Sequence, residues 1–81
     1  MKRFRVLCTN GIYAEMHKRR EFKAFVVQCL HRFMNGDFGT VAPDTNDGED
    51  SMGEYSTEFG QTVIWIKRSL DTVTVMFSWE D

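Results

Sequence analysis

Apolar and polar positions change rhythm along this chain, and each change marks an element. Residues 3 to 8 (Arg-Phe-Arg-Val-Leu-Cys) alternate, with Phe4, Val6 and Cys8 on one side, which predicts a short strand. Thr9 and Asn10 then offer oxygens that cap helices, and Ile12, Tyr13 and Met16 fall at helical spacing, so a short helix is expected over 10 to 17. A longer helix is expected over 20 to 35. Phe22, Phe25, Val26, Cys29 and Phe33 form its apolar stripe, and Val27, Leu30 and Met34 widen it past half the circumference. Ala24, Gln28, His31 and Arg32 make the polar face. So wide a stripe must meet a sheet and also something else, either the first helix or a second subunit. Asn35-Gly36 tolerates the left-handed conformation of a helix end.

The second half has the period of strands. Residues 36 to 53 hold the one Pro, four Gly and no Lys or Arg, and are expected to be loop, with a short helical turn as an option near Asp44 to Asp50. Tyr55, Thr57 and Phe59 alternate up to a turn at Gly60-Gln61. Residues 62 to 67 (Thr-Val-Ile-Trp-Ile-Lys) form a second strand, Arg68 to Asp71 a second turn, and Val73, Val75, Phe77 and Trp79 alternate in a third strand. The expected fold is α+β: two N-terminal helices packed on a three-stranded antiparallel meander, with residues 3 to 8 as a candidate fourth strand. Strand 62 to 67 is apolar on both faces, with Ile64 and Ile66 opposite Val63 and Trp65. Either both faces are covered, or Trp65 lies on an exposed contact patch, where tryptophan is enriched.

Charge divides the chain in the same place. Residues 1 to 36 carry eight Lys and Arg against two Glu, a net +6, whereas residues 37 to 81 carry two cations against ten carboxylates, a net −8. The overall −2 therefore conceals a dipole, which suggests a charged macromolecular partner. With 81 residues the expectation is one domain: 1 to 35 basic and mainly helical, 36 to 53 an acidic loop, and 54 to 79 the meander. The start lacks the apolar stretch of a secretory signal, and no apolar run is long enough to span a bilayer, so a cytoplasmic protein with free thiols at Cys8 and Cys29 is expected.

Chemistry-bearing motifs are sparse. In Asp44-Thr-Asn-Asp-Gly-Glu-Asp50 the glycine falls at position five of a calcium loop, and position twelve is Tyr55, so the EF-hand spacing fails. Cys8, His17, Cys29 and His31 lack zinc spacing, and Cys29 and His31 point to different sides of one helix. There is no nucleophile elbow or phosphate loop, and Tyr13, Glu15 and His17 cannot all converge on a helix. No enzyme, cofactor or metal is expected. Two charged sets remain. Lys18, Arg19, Arg20 and Lys23 could contact phosphates or serve only as a solvated helix junction. Seven carboxylates and no cation lie between Asp37 and Glu58, which is either a solvated loop or an imitation of a phosphate backbone.

Several positions together resemble an uncharacterised family of small bacterial proteins encoded on plasmids, prophages and other mobile elements. They are Glu21-Phe22-Lys23-Ala24-Phe25-Val26, Gly36-Asp37-Phe38-Gly39, the acidic Asp44, Asn46 and Asp47, Tyr55, Ile64-Trp65-Ile66, and Thr72-Val73-Thr74-Val75-Met76-Phe77. The family has Trp where Phe38 stands, a longer acidic linker and a different C-terminal ending. The resemblance implies a mobile-element setting and carries over no functional residue. Joined to the acidic segment, it leads to the expectation of a small inhibitor of a host nucleic-acid-targeting defence complex, of anti-CRISPR or anti-restriction type. Its protein partner, a CRISPR or restriction effector subunit, would meet Asp44, Asp47, Glu49, Asp50, Glu54 and Glu58, with Trp65 as anchor. The alternatives are a nucleic-acid-binding regulator using Lys18, Arg19, Arg20 and Lys23, and a structural homo-oligomer; a homodimer fits either use.

Overall fold

A computed structural model describes residues 5–41, 50–56 and 63–80. The chain runs β1 (Arg5–Cys8), α1 (Asn10–Lys18), α2 (Arg20–Met34), β2 (Asp50–Ser56), β3 (Val63–Ser69), β4 (Thr72–Phe77) and a closing 3-10 turn (Ser78–Glu80). The strands form one sheet in the order β1-β4-β3-β2. The last three are the expected antiparallel meander, with Ile64 opposite Tyr55 on one side and Phe77 on the other. β1 joins as the fourth strand but runs parallel to β4, with Val6 beside Val73, so the sheet is mixed. A parallel partner needs a crossover, and the helical pair supplies part of the connection that returns the chain to the far edge at β2.

The core lies between the helices and one face of the sheet. Ile12, Phe22, Val26, Cys29 and Phe33 from the helices meet Tyr55, Ile64, Ile66, Val73, Val75 and Phe77 from the strands, all of them buried. Phe25 and Leu30 pack at its margin, whereas Val27 and Met34 stay exposed, so the apolar arc of α2 is wider than what covers it. Thr9 caps α1, its Oγ1 accepting from the Ile12 N–H at 3.4 Å. Arg19, with φ −130°, breaks the helical run, ending α1 and preceding α2.

Two expectations are corrected and a third falls outside the described residues. The segment 36 to 53 is not all loop, because β2 begins at Asp50; its polar residues are held by ladder bonds to β3 rather than by an apolar period. Thr57, Phe59 and the Gly60-Gln61 turn lie outside the described residues, as does the acidic stretch 42–49. Trp79 does not continue the inward alternation of β4. The chain turns after Phe77, and Trp79 lies 68% exposed with its ring stacked on that of Phe77, centroids 4.3 Å apart.

Candidate partner-binding surface

Alternation along β3 sends Ile64 and Ile66 into the core and Val63, Trp65 and Lys67 to the opposite face. No described helix lies on that face. Register places Trp65 at its middle, between Glu54 of β2 and Met76 of β4, and places Lys67 between Met52 and Thr74, with Leu7 beyond. The Trp65 Nε1–H donates to Glu54 Oε2 at 2.9 Å, and Lys67 Nζ stands 5.3 Å from the indole centroid. The indole is therefore positioned from two sides, while Met76 in its own row and Met52 in the row of Lys67 add apolar surface beside it. Trp65 thus lies half-buried on the face away from the core; the sequence could not place it, because a doubly apolar strand looks the same whether or not its second face is covered.

Glu54 is fixed in turn by the segment that follows α2. Asp37 pairs with Arg32 at 2.7 Å and accepts the Gly39 N–H at 3.1 Å, and these two bonds, the Arg32 one foremost, hold its carboxyl below the ordinary range. Gly39, with φ +67°, bridges to Glu54, and the Thr40 N–H donates to the Glu54 carbonyl at 3.0 Å. A Cβ on Gly39 would overlap that carbonyl, which accounts for glycine here. The Thr40 hydroxyl donates to Glu54 Oε1 at 2.6 Å; this bond and that of Trp65 lower the Glu54 pKa. Buried Tyr55 closes the loop, its hydroxyl donating to the Asp37 carbonyl at 2.6 Å while Arg32 lies 5.0 Å from its ring centroid. Burial pushes its phenol well above the ordinary value. Asp37, Phe38, Gly39, Tyr55 and Trp65, noted above among the positions of the resemblance, thus converge as one bonded frame along the β2 edge.

The predicted acidic contacts fare unevenly. Glu54 is engaged within the chain as described. Asp50 stands in β2 opposite Ser69, with its side chain outside the described residues, and Asp44, Asp47, Glu49 and Glu58 lie outside them altogether. The predicted basic set comes together at the α1–α2 corner, where Lys18, Arg19, Arg20 and Lys23 are all exposed. Arg19 approaches Glu15 at 3.8 Å. Beside this corner Tyr13, 58% exposed, meets His17 edge-on at 4.4 Å and lines a notch of about 150 Å³ with Met16 and Lys23. A wider groove of about 680 Å³ runs along α2 past Ala24, Val27, Gln28 and His31, so the exposed Val27 lines it. Among the described residues no three His, Cys, Asp or Glu side chains converge as a metal site would need. Both thiols are free, and burial raises the Cys29 pKa to about 11. No described helix is long and apolar enough to cross a membrane.

One polar site was missed from the sequence. Glu80 folds back onto the start of α1: its Oε1 accepts from the Thr9 hydroxyl at 2.5 Å and from the Phe77 N–H at 2.9 Å, and its carboxylate also accepts from the Gly11 N–H. An anion at a helix N-terminus is electrostatically favoured, and here the chain supplies its own. The only local signal was an acidic residue just past a strand. No protein-family model, curated protein or solved structure matches the chain.

Proposed function

We propose that this chain is a small, non-catalytic binding protein that engages a protein partner through the sheet face centred on Trp65. The resemblance to mobile-element proteins narrows that partner to a nucleic-acid-targeting defence complex of the bacterial host, which the chain inhibits. The reading rests on one observation, the indole held between Glu54 and Lys67 on a sheet face that no described helix covers. Fixing a large amphipathic ring before contact lowers the ordering cost of binding, and such rings dominate interface energetics. Asp44, Asp47, Glu49 and Glu58 flank β2 in sequence and Asp50 begins it, so the partner this surface suits presents cations around an apolar centre.

The test is capture from nuclease-treated bacterial lysate by the tagged protein, with Trp65→Ala alongside. Recovery of a restriction or CRISPR subunit by the parent protein and its loss with Trp65→Ala is expected. Equal recovery by both proteins would refute the Trp65 face as the contact.

A second reading, direct nucleic-acid binding, is favoured by exposed Tyr13 next to the cations of the α1–α2 corner, since aromatic rings and cations together suit single strands. It requires an affinity that falls steeply with salt and is lost when Lys18, Arg20 and Lys23 are replaced by Ala.

A further inference from the structure

A sheet has two edges, and this chain treats its own differently. At the β2 edge the Glu54 N–H donates to the Phe38 carbonyl at 3.1 Å and the Glu54 carbonyl accepts from Thr40, so the chain's own loop occupies the middle of that edge. At the β1 edge nothing described does so. The Arg5 N–H donates to the Asp71 carbonyl at 2.8 Å and the Thr9 N–H to the Val75 carbonyl at 3.1 Å, which turns the backbone groups of Arg5, Leu7 and Thr9 toward β4. Those of Val6 and Cys8 consequently face outward, and among the described residues they have no partner. Both side chains at the centre of the strand are also uncovered, Val6 at 49% and Leu7 at 47%. An open, apolar edge strand invites another strand.

The geometry points to a second copy of this chain as the occupant, joined β1 to antiparallel β1 about a two-fold axis at Leu7. In that register Val6 of each copy faces Cys8 of the other, and each such pair exchanges both of its outward hydrogen bonds. Leu7 meets Leu7 in the close, non-bonded pair, and Arg5 faces Thr9. The two Arg5 residues stand four positions apart, about 13 Å, which exceeds the screening length of about 10 Å at 0.1 M salt. No like charges therefore oppose one another among the described residues of the strand. Because the β2 edge is occupied at Glu54, pairing through β1 closes as a dimer instead of running on as a filament. The contact spans little more than the four residues of β1, against about 20–30 residues a side in a stable interface, so the dimer is weak and concentration-dependent. This inference stands independently of the partner proposed for the Trp65 face.

Sedimentation over a concentration series up to about 1 mM tests it, with Val6→Pro and Leu7→Lys as variants. Val6→Pro removes an outward N–H that the sheet does not use, and Leu7→Lys places two cations on the axis. A concentration-dependent dimer that is lost in both variants is expected. A register-specific readout accompanies it in a Cys8→Ser background. Leu7→Cys should oxidise to a covalent dimer, since residues in that pair sit about 4.5 Å apart at Cα, and Arg5→Cys should not. A protein that stays monomeric throughout would overturn the inference. So would a dimer indifferent to Val6→Pro and Leu7→Lys, or cross-linking equal at positions 5 and 7. If Val6→Pro fails to fold, Leu7→Lys and the cross-linking pair still decide.

Discussion

Replacing Glu80 tests how firmly the C-terminal turn holds α1 to the sheet. Three donors converge on its carboxylate: the Thr9 hydroxyl, the Phe77 N–H and the Gly11 N–H. Hydrogen bonds to a charged group contribute about 1.5–3 kcal/mol net, and a charge at a helix N-terminus adds about 0.3–1 kcal/mol. These terms overlap and the site is partly open to water, so Glu80→Ala should cost about 2–3 kcal/mol. At about 4–8 °C per kcal/mol for a domain of this length, the melting temperature should fall by about 10–20 °C. Glu80→Gln keeps an acceptor oxygen and loses the charge, and should cost about 1 kcal/mol. The pH dependence separates charge from shape. Burial opposes ionisation of Glu80, but its three donors outweigh burial and bring the folded pKa below the ordinary 4.5. A depressed carboxyl pKa gives stability that is complete above the unfolded value and lost as pH falls through the folded one. The gap between parent and Glu80→Gln should therefore be full at pH 7 and shrink as pH drops below about 4.5. Urea unfolding at pH 7, 5, 4 and 3 measures it. A gap that is absent at pH 7, or constant down to pH 3, would refute the reasoning.

Gly39→Ala should destabilise by about 2 kcal/mol or more, because its Cβ would strike the Glu54 carbonyl at a φ of +67°; thermal melting measures the loss, and unchanged stability would mean the β2 edge is not locked as described. Leu70, whose φ is +55° in the exposed β3–β4 turn, should gain from glycine, so Leu70→Gly is expected to raise stability by about 0.5–1 kcal/mol in the same assay. Cys29, buried and with its thiol pKa pushed up to about 11, should resist a thiol reagent at pH 7.5 until denaturant is added; rapid labelling of both cysteines in the native protein would contradict its place in the core.

Elements whose information is local were legible in the sequence. The stripe Phe22, Val26, Cys29 and Phe33 marks α2 because those residues share one helical face, and the alternation of Val73, Val75 and Phe77 marks β4 because one face is buried. β2 escaped detection over Asp50 to Glu54 since an edge strand that buries Gly53 and Tyr55 needs no apolar period; the ring of Tyr55 occupies the space a side chain at 53 would take. The parallel placement of β1 beside β4 is a matter of strand order, which no local pattern encodes. The lock of Glu80 onto Thr9 joins residues 71 positions apart. As for the candidate surface, the sequence marked Trp65 and Glu54 separately as contact residues. It could not tell that they bond each other, because that depends on the register of β2 against β3.

The most direct test of the proposed contact face is a calorimetric titration of the captured partner with three proteins: the parent chain, Trp65→Ala, and a variant with Ala at positions 18, 20 and 23. Removing a central aromatic anchor costs at least about 2 kcal/mol, so affinity should fall about 30-fold or more with Trp65→Ala. The triple variant should bind as the parent does. Loss of binding in the triple variant with Trp65→Ala unaffected would contradict the account and place the contact at the α1–α2 corner.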